Sequence, residues 1–149
     1  MGMLDQEIMF SDGQSLAGAA VGDLPSTNTY DCGGANGQSD FGQVGEHLWA
    51  NMILSAAVTS GGAATVQGVL QSAPDNATWT DFEVGPVVTL ANAVAGAVLL
   101  QVTPNPGAQR YLRTVVRVGT AALTGGTVSS YVSESIQRNI ARNSGFAVA

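Results

Sequence analysis

The sequence predicts an all-β protein, one domain folded as a jelly-roll sandwich, and three observations predict it. Short β-prone segments alternate with clusters of Gly, Pro, Asn, Asp and Ser along the chain. Nineteen glycines in 149 residues supply frequent turns, and no stretch carries a convincing long helical pattern. Roughly eight to ten strands result, a number that suits two packed sheets with jelly-roll connections. The length fits a single core and is short for two. The domain therefore spans 1–149, with a long Gly-rich loop over 31–45 and an extended tail over 137–149.

The elements follow in order. LDQEIMF (4–10) alternates Leu4, Gln6, Ile8 and Phe10 against Asp5, Glu7 and Met9, and Asp12-Gly13 reads as the turn that ends it. LAGAAV (16–21) reads as a weaker strand and NTYD (28–31) as a short one. HLWANMILSAAVT (47–59) sets Leu48, Ala50, Met52, Leu54, Ala56 and Val58 on one face at period two, with a helix as the competing reading. After a turn at Gly61-Gly62, ATVQGVLQS (64–72) sets Val66 and Leu70 opposite Thr65, Gln67, Val69 and Gln71. PDNATWT (74–80) is a loop leading into DFEV, and VVTL (87–90) and AVLLQV (97–102) are further strands. PNPG (104–107) is a tight turn. ALTGGTVSSYVSESI (122–136) turns at Gly125-Gly126 and continues as a strand.

Composition excludes several function classes. Only 11% of residues are charged, against roughly 25% in an ordinary domain, so where the few charges sit is informative. Residues 1–83 carry ten carboxylates and no Lys or Arg, whereas 84–149 carry five arginines and Glu134, which gives −10 against +4. A net charge of −6 argues against a DNA or RNA partner, because affinity for phosphates comes from neutralising them. The two halves are expected to attract each other, within one fold or between copies. One cysteine, Cys32, allows no internal disulfide and no Cys-rich zinc site, and the single His47 removes most metal and Ser-His-Asp options. The N-terminus lacks the basic segment of a secretory signal. Residues 84–102 are uncharged but contain Pro86, Asn92 and Gly96, so they read as two buried strands around a turn, not as a membrane helix.

Chemistry finds little support. Asp31 beside Cys32 opposes the electropositive setting that a reactive thiol needs. His47 beside Glu46 is a structural residue or a pH-sensitive contact. Asp75, Asp81 and Glu83 near Trp79 could suggest a sugar site, but nothing fixes their spacing and a solvated loop explains them better. Trp49 and Trp79 read as core or interface anchors. Asn76-Ala77-Thr78 is a chance match to a glycosylation sequon. No P-loop, dinucleotide fingerprint, zinc motif or nucleophile elbow is present. The expectation is a protein that is not an enzyme and takes no cofactor or metal.

The charge that remains converges on GAQRYLRTVVRVG (107–119), which holds Arg110, Arg113 and Arg117. As a strand it places Tyr111, Arg113, Val115 and Arg117 on one face and Arg110, Leu112, Thr114, Val116 and Val118 on the other. The second face, apolar after its first residue, looks inward. The first is a solvated face with arginines paired across strands, or an assembly surface, since arginine and tyrosine are enriched at interfaces.

QRYLR (109–113), VVRVGT, GGTVS (125–129) and the terminal SGFAVA resemble the capsid cement proteins of tailed phages, the Bordetella-phage type. FSDGQSL (10–16), STNTYDCG (26–33), GEHLW (45–49) and SGGAATVQGVLQ (60–71) resemble the family in the same order, so the resemblance covers nearly the whole chain. It implies a jelly roll on the outer surface of an icosahedral head, made in the host cytoplasm, binding the major capsid protein and itself, as a homodimer before a trimer, with neither nucleic acid nor membrane as partner. Contact residues expected from polarity are Arg110, Tyr111, Arg113, Arg117, Arg138, Arg142 and Phe146. A head–tail connector or tail component, and a carbohydrate-binding jelly roll, are the rival readings.

Overall fold

The computed structural model describes residues 9–32, 48–104 and 107–133. Nine strands occur among them: β1 Met9–Ser15, β2 Gly22–Pro25, β3 Tyr30–Asp31, β4 Trp49–Ser60, β5 Thr65–Ala73, β6 Thr80–Thr89, β7 Val98–Val102, β8 Tyr111–Gly119 and β9 Leu123–Ser133. One 3-10 turn, Leu90–Asn92, separates β6 from β7. The strands form two antiparallel sheets packed as a sandwich. The first has the order β1-β9-β4-β7; the second has the order β2-β8-β5-β6, with β3 also paired to β8.

The alternating segments behave as period two requires. In β4, Ala50, Met52, Leu54 and Val58 enter the core, which settles strand against helix. In β8, Leu112, Val116 and Val118 face inward with Val66 and Leu70 of β5 and with Leu99, Leu100, Val128 and Val132 from the other sheet. Thr114 also faces inward, and its Oγ1 lies 2.8 Å from Ser130 Oγ of β9. That buried hydroxyl pair ties the two sheets together, each side chain supplying the partner that burial demands. Two glycines bring the backbones of the two sheets close together. A Cβ on Gly68 would stand 2.8 Å from the carbonyl oxygen of Leu99, and one on Gly85 would collide with the same atom. Only glycine leaves room for backbone to approach backbone there.

Four sequence expectations change. Asp12-Gly13 is no terminal turn: β1 continues through it to Ser15 as a bulge, with the register slipping between Ser11 and Gln14 and Gly13 at φ +59°. LAGAAV is not a strand. Its small residues turn instead, Leu16 is fully buried, and the backbone bonds irregularly to β9 (Leu16 N–H to Gly126 O at 2.9 Å, Gly18 N–H to Leu123 O at 3.0 Å). Gly125-Gly126 is likewise a bulge inside β9, because Gly126 takes φ +120° against Val58 of β4 while the strand continues. VVTL is the end of one long strand, β6, which runs through Gly85 and Pro86. Proline is tolerated because β6 is a sheet edge. For the same reason residues 84–90 are not a buried strand: Val84 and Val87 are 50% and 60% exposed. No helix among the described residues is long and apolar enough to cross a membrane. Residues 4–8 of the strand expected over 4–10, most of the loop over 31–45, His47, the centre of the PNPG turn and the tail over 137–149 lie outside the described residues.

Candidate functional site

The outer face of the second sheet carries the concentrated charge. Cross-strand register builds it in rows. Asp23 (β2) lies opposite Arg117 (β8), which lies opposite Gln67 (β5) and then Val87 (β6). The next row is Pro25, Val115, Val69 and Val84. The third is Arg113, Gln71 and Asp81, and the fourth is Asp31, Tyr111 and Ala73.

Arg117 holds two carboxylates. Its Nε and Nη2 donate to Asp23 Oδ1 and Oδ2 at 2.7 and 2.9 Å, and its Nη1 lies 3.0 Å from Asp81 Oδ2. Asp81 is in the third row, so the guanidinium reaches it diagonally, across the Val115–Val69 row. Both valines are fully buried although they point away from the core, and neither belongs to the core cluster. Asp23, then Asp81, raise the Arg117 pKa. The hydrogen bond from Arg117, then that from Gln71 Nε2 at 2.9 Å, hold the Asp81 carboxyl below the usual range.

Arg110, just before β8, makes a second bidentate pair, with Nε and Nη2 donating to Asp31 at 2.9 Å each. Both side chains are exposed, and the Arg110 guanidinium also lies 4.9 Å from the centre of the Tyr111 ring. The Asp31 bond is the main cause of a raised Arg110 pKa.

Arg113 differs. Its Nε donates to Gln71 Oε1 at 2.9 Å, and its guanidinium stacks 4.3 Å from the centre of the Trp79 ring. Half-buried, it has no carboxylate within 4 Å among the described residues. Burial lowers its pKa, and the more distant charge of Asp23 only partly offsets this. Trp79 is brought there by the loop 74–79. Asp75 accepts from the backbone N–H of Ala77 and Thr78 and from the Thr78 hydroxyl, and Asn76 takes a left-handed φ of 57°. These bonds, led by those from Thr78 and Ala77 N–H, lower the Asp75 pKa.

Among the expected contact residues, Tyr111, Arg113 and Arg117 lie on β8 and Arg110 lies just before it. Arg138, Arg142 and Phe146 lie outside the described residues. The sequence reading had no signal for Asp23, Asp31 or Gln71 as their partners. It grouped Asp75 and Asp81 near Trp79, but the first serves a turn and the second serves Arg117. Cys32 is buried in the core, its N–H donating to Arg110 O at 2.7 Å. Trp49 opens β4, half-buried. No cluster among the described residues has the ligands to hold a metal ion. The face presents arginine and aromatic side chains held in place by their neighbours.

A family model described as Bbp16 matches residues 10–132 of the chain. No curated protein matches it.

Proposed function

The chain belongs to the Bbp16 family of phage proteins, and from that premise we propose that it is a capsid cement protein. It binds the outer surface of an icosahedral head and stabilises contacts between major capsid protein subunits, as a homodimer. The observation that carries this reading is the outer face of the second sheet. Arg117, Arg110 and Gln71 lock it internally, so it meets a partner with little side-chain ordering left to lose. The strand orders support a jelly roll: the chain crosses between sheets after β1, β3, β4, β6, β7 and β8, so sheet neighbours come from distant segments.

The mechanism is linkage. A protein that binds the assembled shell better than free subunits stabilises the shell by the difference, and many modest contacts per head act together. An outer position keeps a chain of net charge −6 away from packaged DNA. The sugar-binding alternative is less well supported, because the guanidinium of Arg113 already covers one face of Trp79.

Co-sedimentation with heads stripped of the protein, followed by imaging, tests the proposal. Saturable binding at regular lattice positions is the expected result. Recovery of the protein only with tails, or only free, removes it.

A further inference from the structure

Three arginines on one strand look equivalent in the sequence, but their surroundings give them different work. Arg117 and Arg110 are each satisfied by carboxylates of this chain in bidentate geometry. Arg113 is not. Its side chain is half-buried, one nitrogen is used by Gln71, one side is covered by Trp79, and Nη1 and Nη2 make no hydrogen bond among the described residues. A guanidinium taken partly out of water without a counter-ion is unfavourable unless something pairs with it. Burial without a carboxylate also disfavours its charged form. Yet it is pre-positioned, because the Gln71 bond and the indole stack fix the plane of the fork.

We infer that Arg113 is the docking residue of this face and that its partner is a carboxylate side chain presented by the shell protein. The inference rests on the cement reading above. A second copy is the weaker occupant. Asp23, Asp31 and Asp81 are already held by arginines, and Asp75 by its own turn, so the described part of a sister chain offers few uncommitted carboxylates. Arg113 sits between the buried Val115–Val69 row and the Tyr111–Ala73 row, so a carboxylate reaching it is bordered by apolar surface. Such shielding from water strengthens a charge-assisted pair.

The chain contains no lysine, which allows a clean test. R113K introduces the only side-chain amine, and a zero-length carbodiimide reagent joins an amine to a carboxylate only where the two touch. R113K protein bound to stripped heads is treated with the reagent and the cross-linked peptides are identified by mass spectrometry. R113A is measured in parallel for head affinity, with circular dichroism confirming its fold. The expected result is a cross-link from position 113 to an Asp or Glu of the shell protein, with R113A binding about tenfold or more weakly, as for truncation of a shielded charge pair. If the wild-type chain binds heads and R113A binds equally well, the Arg113 assignment fails while the cement reading stands. Cross-links only between copies of this chain overturn it in favour of self-association. If the wild-type chain does not bind heads, both readings fall.

Discussion

Replacing Arg117 with alanine removes a guanidinium that two carboxylates share, and the geometry sets the size of the loss. Asp23 and Asp81 lie 2.7 and 3.0 Å from it, and the side chain keeps 34% of its exposure. Exposed pairs contribute about 0.2–1 kcal/mol each, and water and salt screen them. Two such pairs, discounted for that exposure, put the cost of R117A at about 1 kcal/mol and below roughly 2. For a domain of this size that is a fall in Tm of roughly 2–4 °C per kcal/mol. Urea unfolding of wild type, R117A, D81N and the double variant measures the cost and the coupling. The loss should shrink in about 1 M salt, where the screening length is near 3 Å. R113A breaks no ion pair among the described residues, so its smaller cost should be nearly indifferent to salt. An R117A loss that is unchanged by salt, or larger than about 4 kcal/mol, would refute the reasoning, since values of that size come from packing defects.

Three further outcomes follow from the same structure. The hydrogen bond from Arg117 holds the Asp81 carboxyl below its ordinary range in the folded chain, so its contribution is present above the unfolded pKa and is lost as pH falls through the folded one. The stability gap between wild type and D81N should therefore be widest near neutrality and close on acidification, as followed by denaturant unfolding across pH. T114V leaves the Ser130 hydroxyl buried without its partner and should cost about 1–3 kcal/mol, whereas adding S130A should recover much of it; equal costs for the single and double variants would remove the hydroxyl pair from the account. G68A puts a methyl 2.8 Å from the Leu99 carbonyl and 2.9 Å from Leu100 Cβ. It should lower stability by about 1–3 kcal/mol through overpacking, and a neutral result in thermal unfolding would mean the sheets separate freely there.

The strand pattern of β4, β5 and β8 was legible because period two is a local property: each residue's face follows from its neighbour's. All-β class, the inward face of the arginine strand and the outward pair Arg113 and Arg117 came from that alone. Glycines were harder. A Gly-Gly that ends a strand and one that bulges it share a composition, and only the partner strand decides between them, as Val58 does for Gly126. Thr114 looked like an ordinary member of an inward face until Ser130, on the opposite sheet, supplied its bond. The site depended most on tertiary structure. Arg117 finds Asp23 across 94 positions and Asp81 across 36, and Arg110 finds Asp31 across 79. The sequence by itself determined that three arginines lie on or beside one strand of an acidic chain. Which of them has a carboxylate was decided by sheet order and register, because pairing between distant strands brings those side chains within hydrogen-bond reach and leaves Arg113 beside a glutamine and a tryptophan instead.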